Sequence, residues 1–576
     1  MRLKPLALLS IALLVAVPAI GNAQQQRRTN ATTERISLDG RYLAARVAEQ
    51  DHDYERAAEQ IDQALLLSPN DPELVYAAFR MRLYAGRFDS ALQLAPAVLA
   101  AKPGDGFANL VVAVSLIKKG DNRAAEQQLG KIGAENQLGP LRDYVVAWLK
   151  AGDKDFTAAR DLISKNRPKA GRDEAPALII QAQFDEMAGD RAAAESKYRR
   201  AAQLDPTGIR VVLSAADGLR RLGKADDART LLKALGDKFG DTVVMDGLMA
   251  ASAPMPKAPT PASGVADILF DIGSILSSDP RNQRADLALI FLQLAVELKP
   301  DADFAWLTIS AIYEQWGVIP KAVAALGKIS PTSPFSWQAR LRIAALDAQE
   351  ERFDQAITRL KALVAEKPNR IDAAITLADL LRGKERWAEA IAASDTAIQR
   401  IAKPEERHWP IYFGRAIALE RSKQWPRAEA DIKKALELSP EQPYALNYLG
   451  YSWIDQGMHL EEGMKMLKRA NELKPDDGAI TDSVGWAYYR LGQFDKAVDW
   501  LERASEQKSD DATIVEHLGD AYWHVGRKRE ARFEWLRALN QKPDKDRIPV
   551  INDKLANGLN SSNDKPTVYE KAADKK

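Results

Sequence analysis

Residues 481–504 read TDSVGWAYYRLGQFDKAVDWLERA, and residues 515–538 read VEHLGDAYWHVGRKREARFEWLRA. Gly485 maps onto Gly519, Tyr488 onto Tyr522, Gly492 onto Gly526, Ala497 onto Ala531 and Ala504 onto Ala538, each a step of 34 residues. A fixed period of that size marks a repeat architecture. Within the period, Leu and aromatic residues three and four apart predict two short amphipathic helices. Gly492 and Gly526 stand where the first helix has to stop, because glycine takes the left-handed cap conformation without strain. The small residues Gly485, Ala497 and Ala504 let two helix axes approach closely. Pro475 and Pro543 follow second helices, which proline cannot prolong. One such hairpin cannot bury its own apolar face, but stacked neighbours can, so the pattern predicts an all-α solenoid.

The Val484-Gly485 and Leu518-Gly519 pairs, the Tyr three positions on, the Leu-Gly or Val-Gly stop, the two Ala positions and the terminal Pro together resemble the tetratricopeptide repeat (TPR) family. The resemblance implies architecture. It implies no particular ligand, because repeats of this kind bind many unrelated partners.

The period extends outward through most of the 576 residues. Met1 to Ala23 reads as a cleavable signal peptide: a short basic start, an apolar run from Leu6 to Val17, and small residues at Gly21-Asn22-Ala23. That run is shorter than the roughly 20 apolar residues a membrane span takes, and the mature chain is expected to have no transmembrane segment. Residues 24–36 are polar and aperiodic and read as a flexible leader. Six repeats fit residues 37–242, an N-terminal array in which Gly86 and Gly120, and Gly189 and Gly223, keep the 34-residue step. Between Gly120 and Gly189 the phase drifts. Residues 243–264 contain APMPKAPTPASG and read as a Pro-rich linker. Eight more repeats fit a C-terminal array over residues 265–545, which makes about fourteen hairpins in all. Residues 546–559 read as a capping helix that shields the last repeat, and residues 560–576 as a disordered tail.

Composition narrows the function. With 81 basic and 80 acidic side chains the chain has no net basic footprint, which argues against nucleic acid as the main partner. No Cys is present, so packing alone holds the fold and no thiol nucleophile exists. None of the zinc-protease, serine-hydrolase or phosphate-loop signatures occurs, and no catalytic residue, cofactor or metal site is expected. Glu516, Asp520 and His524 share a helix stripe at four-residue spacing, but a solvated face explains that pattern better than a metal.

Eleven of the twelve Trp lie beyond residue 300. Trp500 and Trp535 fall on second helices and are expected in the core, and Trp387 and Trp425 over turns. The family resemblance assigns other positions of each first helix to a concave groove. In the last three repeats these are Tyr444, Asn447, Tyr451 and Asp455; Asp482, Trp486, Tyr489 and Arg490; and Glu516, Asp520, Trp523 and His524. An aromatic and acidic groove suits an extended peptide or an amphipathic helix. The same rings could equally pack between neighbouring first helices.

The function expected from this reading is a non-catalytic protein-interaction scaffold or adaptor in a bacterial cell envelope. It would be periplasmic, with peripheral attachment to the outer membrane left open, and would bind a protein or peptide partner through the groove. Proteins it resembles act in outer-membrane assembly, pilus biogenesis, polysaccharide export or regulation of cell-wall synthesis. Two alternatives stand beside it: an accessory subunit of a periplasmic protease or of a glycan synthase or export complex, and direct polysaccharide binding by the aromatic groove.

Overall fold

A computed structural model of the chain describes residues 37–133, 136–166, 174–239, 248, 254–278, 284–560 and 564. The expected signal peptide and leader lie outside these residues, as do most of the tail and part of the Pro-rich stretch. The described residues hold 29 α-helices and no strand. From Leu38–Gln50 to Lys528–Asn540 the helices follow one another as fourteen successive pairs, and Arg547–Asn557 comes last. The expected all-α repeat fold is therefore present.

Local chemistry sets the helix ends. Asp477 and Asp511, one period apart, precede first helices, and their carboxylates accept hydrogen bonds from the otherwise unpaired backbone N–H groups of Ala479 and Ile480 and of Thr513 and Ile514. At the other end, Gly492 and Gly526 take φ of +71° and +84° and turn the chain into the second helix. Glu351, Glu385 and Lys423 hold the equivalent corner in other hairpins with φ of +59°, +56° and +60°.

Close helix approach decides the packing. A Cβ at Gly485 would lie 2.7 Å from Leu501 Cγ, and one at Gly519 would lie 2.6 Å from the Trp535 ring. In the hairpin of Pro443–Gln456 and Leu460–Leu473 both faces are glycine: a Cβ on Gly450 would meet the Gly463 carbonyl at 2.7 Å, and one on Gly463 the Gly450 carbonyl at 2.9 Å. Trp535 is fully buried, whereas Trp500 is only half-buried under the Arg503 guanidinium. Trp500 departs from its expected core position in being only partly buried, packed against the edge of the core cluster. Trp387 and Trp425 each open a second helix and pack partly buried against the core beneath.

The chain divides into two compact units, one ending at Asp153 and the other beginning at Lys154. The division falls in the stretch where the repeat phase drifts. The Pro-rich stretch lies within the second unit. There residues 254–260 have no regular structure, and helix Pro261–Ser277 starts inside the expected linker, closed by a Thr260–Ser263 capping box. Helices on either side of this stretch touch. Arg210 of Ile209–Arg221 pairs with Asp271 at 2.9 Å, and its guanidinium sits 4.7 Å over the Phe270 ring.

Candidate functional site

The expected groove residues sit on three first helices: Pro443–Gln456, Gly478–Arg490 and Ala512–His524. Successive first helices are joined side chain to side chain. Arg490 reaches back to Asp455 at 3.0 Å, and Asp482 accepts a hydrogen bond from His517 Nδ1 at 3.0 Å. The His517 ring lies flat on Trp486, with centroids 3.8 Å apart, and Trp486 stacks in turn on Tyr489 at 4.6 Å. Burial alone would push the His517 imidazole down. Asp482, bonded to it, together with Glu516 and Asp520, outweighs burial and holds it above the ordinary histidine value.

The groove of the last two repeats is filled by the chain itself. Helix Arg547–Asn557 lies over it and buries the Lys554 side chain to 1% exposure. Lys554 Nζ donates to Glu516 Oε1 at 2.6 Å and to both Asp520 oxygens at 2.8 and 2.7 Å. Arg547 also donates to Glu516, and the Trp535 indole N–H donates to Asp520 at 2.8 Å. Beyond the helix, Asp564 accepts hydrogen bonds from the Tyr489 hydroxyl and His524 Nε2.

The charges in this cluster set one another's protonation. Burial would raise Glu516, but Lys554 and Arg547 hold it below the usual carboxylate value. Burial and the neighbouring Glu516 carry Asp520 upward in spite of Lys554. Burial would lower Lys554, and the two carboxylates hold it above its ordinary value. Glu516, Asp520 and His524 thus do not converge as one ligand set: the first two face Lys554 and the third faces Asp564. Among the described residues no group of three His, Asp or Glu side chains is arranged to hold a metal ion.

The candidate residues therefore separate into two sets. Trp486 and Tyr489 are 5% and 0% exposed, and Arg490, Glu516 and Asp520 are buried with them. Of the two readings of the rings, groove lining and packing between neighbouring first helices, the second holds for Trp486 and Tyr489, and the last helix lies over the acids. Trp523 is half-buried, and its ring meets Gly558 so closely that a Cβ there would lie 2.1 Å from it. The Pro443–Gln456 helix is different. Tyr444 is 37% exposed, and Asn447 and Tyr451 are half-buried. Lys474 donates to the Tyr444 hydroxyl, and the Asn447 side-chain carbonyl has no hydrogen-bond partner.

A second concavity was not foreseen. In the first unit a cavity of about 490 Å³ is lined by Tyr42 and Arg46, Tyr76 and Arg80, and Ile61 and Lys102. Tyr42 and Tyr76 are one repeat period apart on successive first helices, a recurrence already present in the sequence.

Comparison with known proteins agrees with this geometry. Residues 413–477 match a family model described as "Tetratricopeptide repeat" and residues 485–526 one described as "TPR repeat". The TPR repeat-containing protein PA4667 of Pseudomonas aeruginosa is 27% identical over 199 residues, which cover 34% of this chain and 32% of that relative. The match thus spans about a third of the relative's length. Among solved structures, the chain is similar to the Cut9–Hcn1 hetero-tetramer of the APC/C, with 15% identity, 91% of this chain and 96% of that chain covered, and a TM-score of 0.37. It is also similar to a tetratricopeptide repeat protein from Parabacteroides merdae, with 16% identity, coverage of 44% and 98%, and a TM-score of 0.37. A third is YrrB, described as a TPR protein with an unusual peptide-binding site, with 20% identity, coverage of 32% and 94%, and a TM-score of 0.26. The second match spans the Gly485 and Gly519 approaches, the Asp511 cap and the Gly492 and Gly526 corners, which recur at the 34-residue step, and residues 413–477 and 485–526 of this chain are tetratricopeptide repeats.

Proposed function

We propose that this protein is a non-catalytic interaction scaffold, exported to a bacterial periplasm, that holds a protein partner on the inner faces of its first helices. The observation that carries the reading is that these faces already hold a polypeptide. Glu516, Asp520 and Trp523, residues on groove positions of the family, grip helix Arg547–Asn557 through ion pairs and ring contact. A surface that seats one amphipathic helix has the shape and chemistry to seat another segment. Next to it, Tyr444 is exposed and Asn447 and Tyr451 are half-buried, and the three carry the aromatic and amide groups that make adaptable contacts. The accessory-subunit role stands within this reading, since a periplasmic protease or glycan synthase is one class of protein partner.

Two measurements test it. Intact mass of the exported protein is expected to start at Gln24; a mature chain that keeps Met1 to Ala23 removes the export part. Affinity capture from the periplasm with the full chain should retain a dominant protein. Tyr444→Ala and Asn447→Asp variants that melt like wild type should lose it. Capture unchanged by both variants places the partner elsewhere, and a retained glycan in its place favours the polysaccharide alternative.

A further inference from the structure

We infer that the last groove is a receptor for a basic amphipathic helix, and that the chain's own C-terminal helix occupies it as a displaceable stand-in for a partner helix of the same chemistry. The inference rests on the scaffold reading above and adds the partner's chemical class. It starts from the face that helix Arg547–Asn557 turns inward. Arg547, Ile551, Lys554 and Gly558 recur at helical spacing, a basic–apolar–basic–small pattern. Each meets a matching group on the repeats. Arg547 meets Glu516, Lys554 meets Glu516 and Asp520, and Gly558 meets the Trp523 ring. Ile551 is fully buried in the apolar cluster between them.

A cap that only shields the final hairpin needs apolar side chains. Buried ion pairs add little stability over packed hydrocarbon of the same volume, because desolvating both charges offsets their attraction. What they supply is discrimination: a helix without a cation at the Lys554 position would leave the buried Asp520 with only the Trp535 N–H and Glu516 with only Arg547. The acids belong to the repeats and the cations to the last helix, so the recognition code lies across a contact that can open. Only the short stretch of residues 541–546 tethers the helix to the last repeat. Tethering raises its local concentration to the millimolar range typical of short linkers, so a free helix of the same pattern competes poorly until the tail is released.

The test uses the full chain and a fluorescent synthetic peptide of residues 545–560, KDRIPVINDKLANGLN. Binding is read by anisotropy to three proteins: wild type, Lys554→Glu and Gly558→Val. Lys554→Glu repels the tail from Glu516 and Asp520. Gly558→Val drives it off the Trp523 ring and leaves the acids untouched. The expected result is at least a tenfold tighter Kd for the peptide on either released variant than on wild type. A peptide carrying its own Lys554→Glu change should bind none of the three. If Lys554→Glu loses helix content by circular dichroism, Gly558→Val carries the test alone. The inference is overturned if folded variants do not bind the peptide, or if all three proteins bind it equally. It is also overturned if both variants lose the helices of the last hairpin, since the tail is then an integral part of the fold. No natural partner enters the assay, so a failed periplasmic capture and a failed peptide assay are separate results.

Discussion

At Gly485 the backbones of two helices come so close that an added Cβ would press on Leu501 Cγ at 2.7 Å and on the Leu501 backbone nitrogen at 3.2 Å. A side chain can rotate away, but a backbone nitrogen cannot, so Gly485→Val is expected to cost about 1–3 kcal/mol through overpacking. A thermal melt of the full chain indistinguishable from wild type would show that the helices can part at no cost. Lys423 poses the opposite case. It holds the left-handed corner at φ +60°, a conformation costing an L-residue about 1–2 kcal/mol, part of which glycine's extra freedom in the unfolded chain cancels. Lys423→Gly is expected to raise stability by roughly 0.5–1 kcal/mol, measured by urea titration. His517 supplies a pH signature. Its folded value is raised above the ordinary 6.5. The charged ring therefore stabilises the fold fully below that pH, and the contribution is lost as pH rises through the folded value. Melting temperature should fall as pH rises above the ordinary histidine value of 6.5 in wild type and fall less in His517→Gln; parallel slopes in the two proteins would remove the Asp482–His517 pair from the explanation.

Helices here are short, and an isolated helix of thirteen or fourteen residues is marginal in water. Each hairpin therefore depends on its end groups and on its neighbours. Asp511 caps helix Ala512–His524 by accepting from Thr513 N at 3.0 Å and Ile514 N at 3.4 Å. Asp511→Ala is expected to destabilise the last hairpins by about 1 kcal/mol, and Asp511→Asn, which keeps the acceptor, by clearly less. Hydrogen exchange of the amides in residues 512–540 checks this directly, since loss of the cap opens that element before the array as a whole. Equal protection in all three proteins would mean that packing on the neighbouring hairpin, not the cap, fixes this helix end.

Over the whole chain, a repeat array behaves as a row of units coupled to their neighbours. The Pro-rich stretch interrupts the row in sequence, and residues 254–260 are mostly exposed, which makes them a preferred site of proteolytic nicking. Yet Arg210, from before the stretch, holds Asp271 and Phe270, from after it. Limited proteolysis should therefore cut between the two segments while the products stay together on gel filtration, and Arg210→Glu should let them separate. Products of the unaltered chain that part on their own would show that the Arg210 contact does not hold them.

The repeat step, the glycine corners, the Gly485 approach and the number of hairpins were all legible in the sequence, because each is a local demand repeated in phase. Trp535 could be placed in the core for the same reason. The fate of the groove residues was not legible. Glu516 and Asp520 face Lys554, 38 and 34 residues further on, and Tyr489 meets Asp564 at a separation of 75. Such pairings come from a helix folding back over finished repeats, which no periodicity encodes. Whether Trp486 would face solvent or a neighbour was likewise settled by His517 stacking on it from the next repeat. The sequence by itself determined a stack of TPR hairpins and the positions on each first helix where a partner could bind. Which of those positions are covered was fixed only in the folded chain, because burial there depends on the rings stacked from the next repeat and on where the last eleven-residue helix lies.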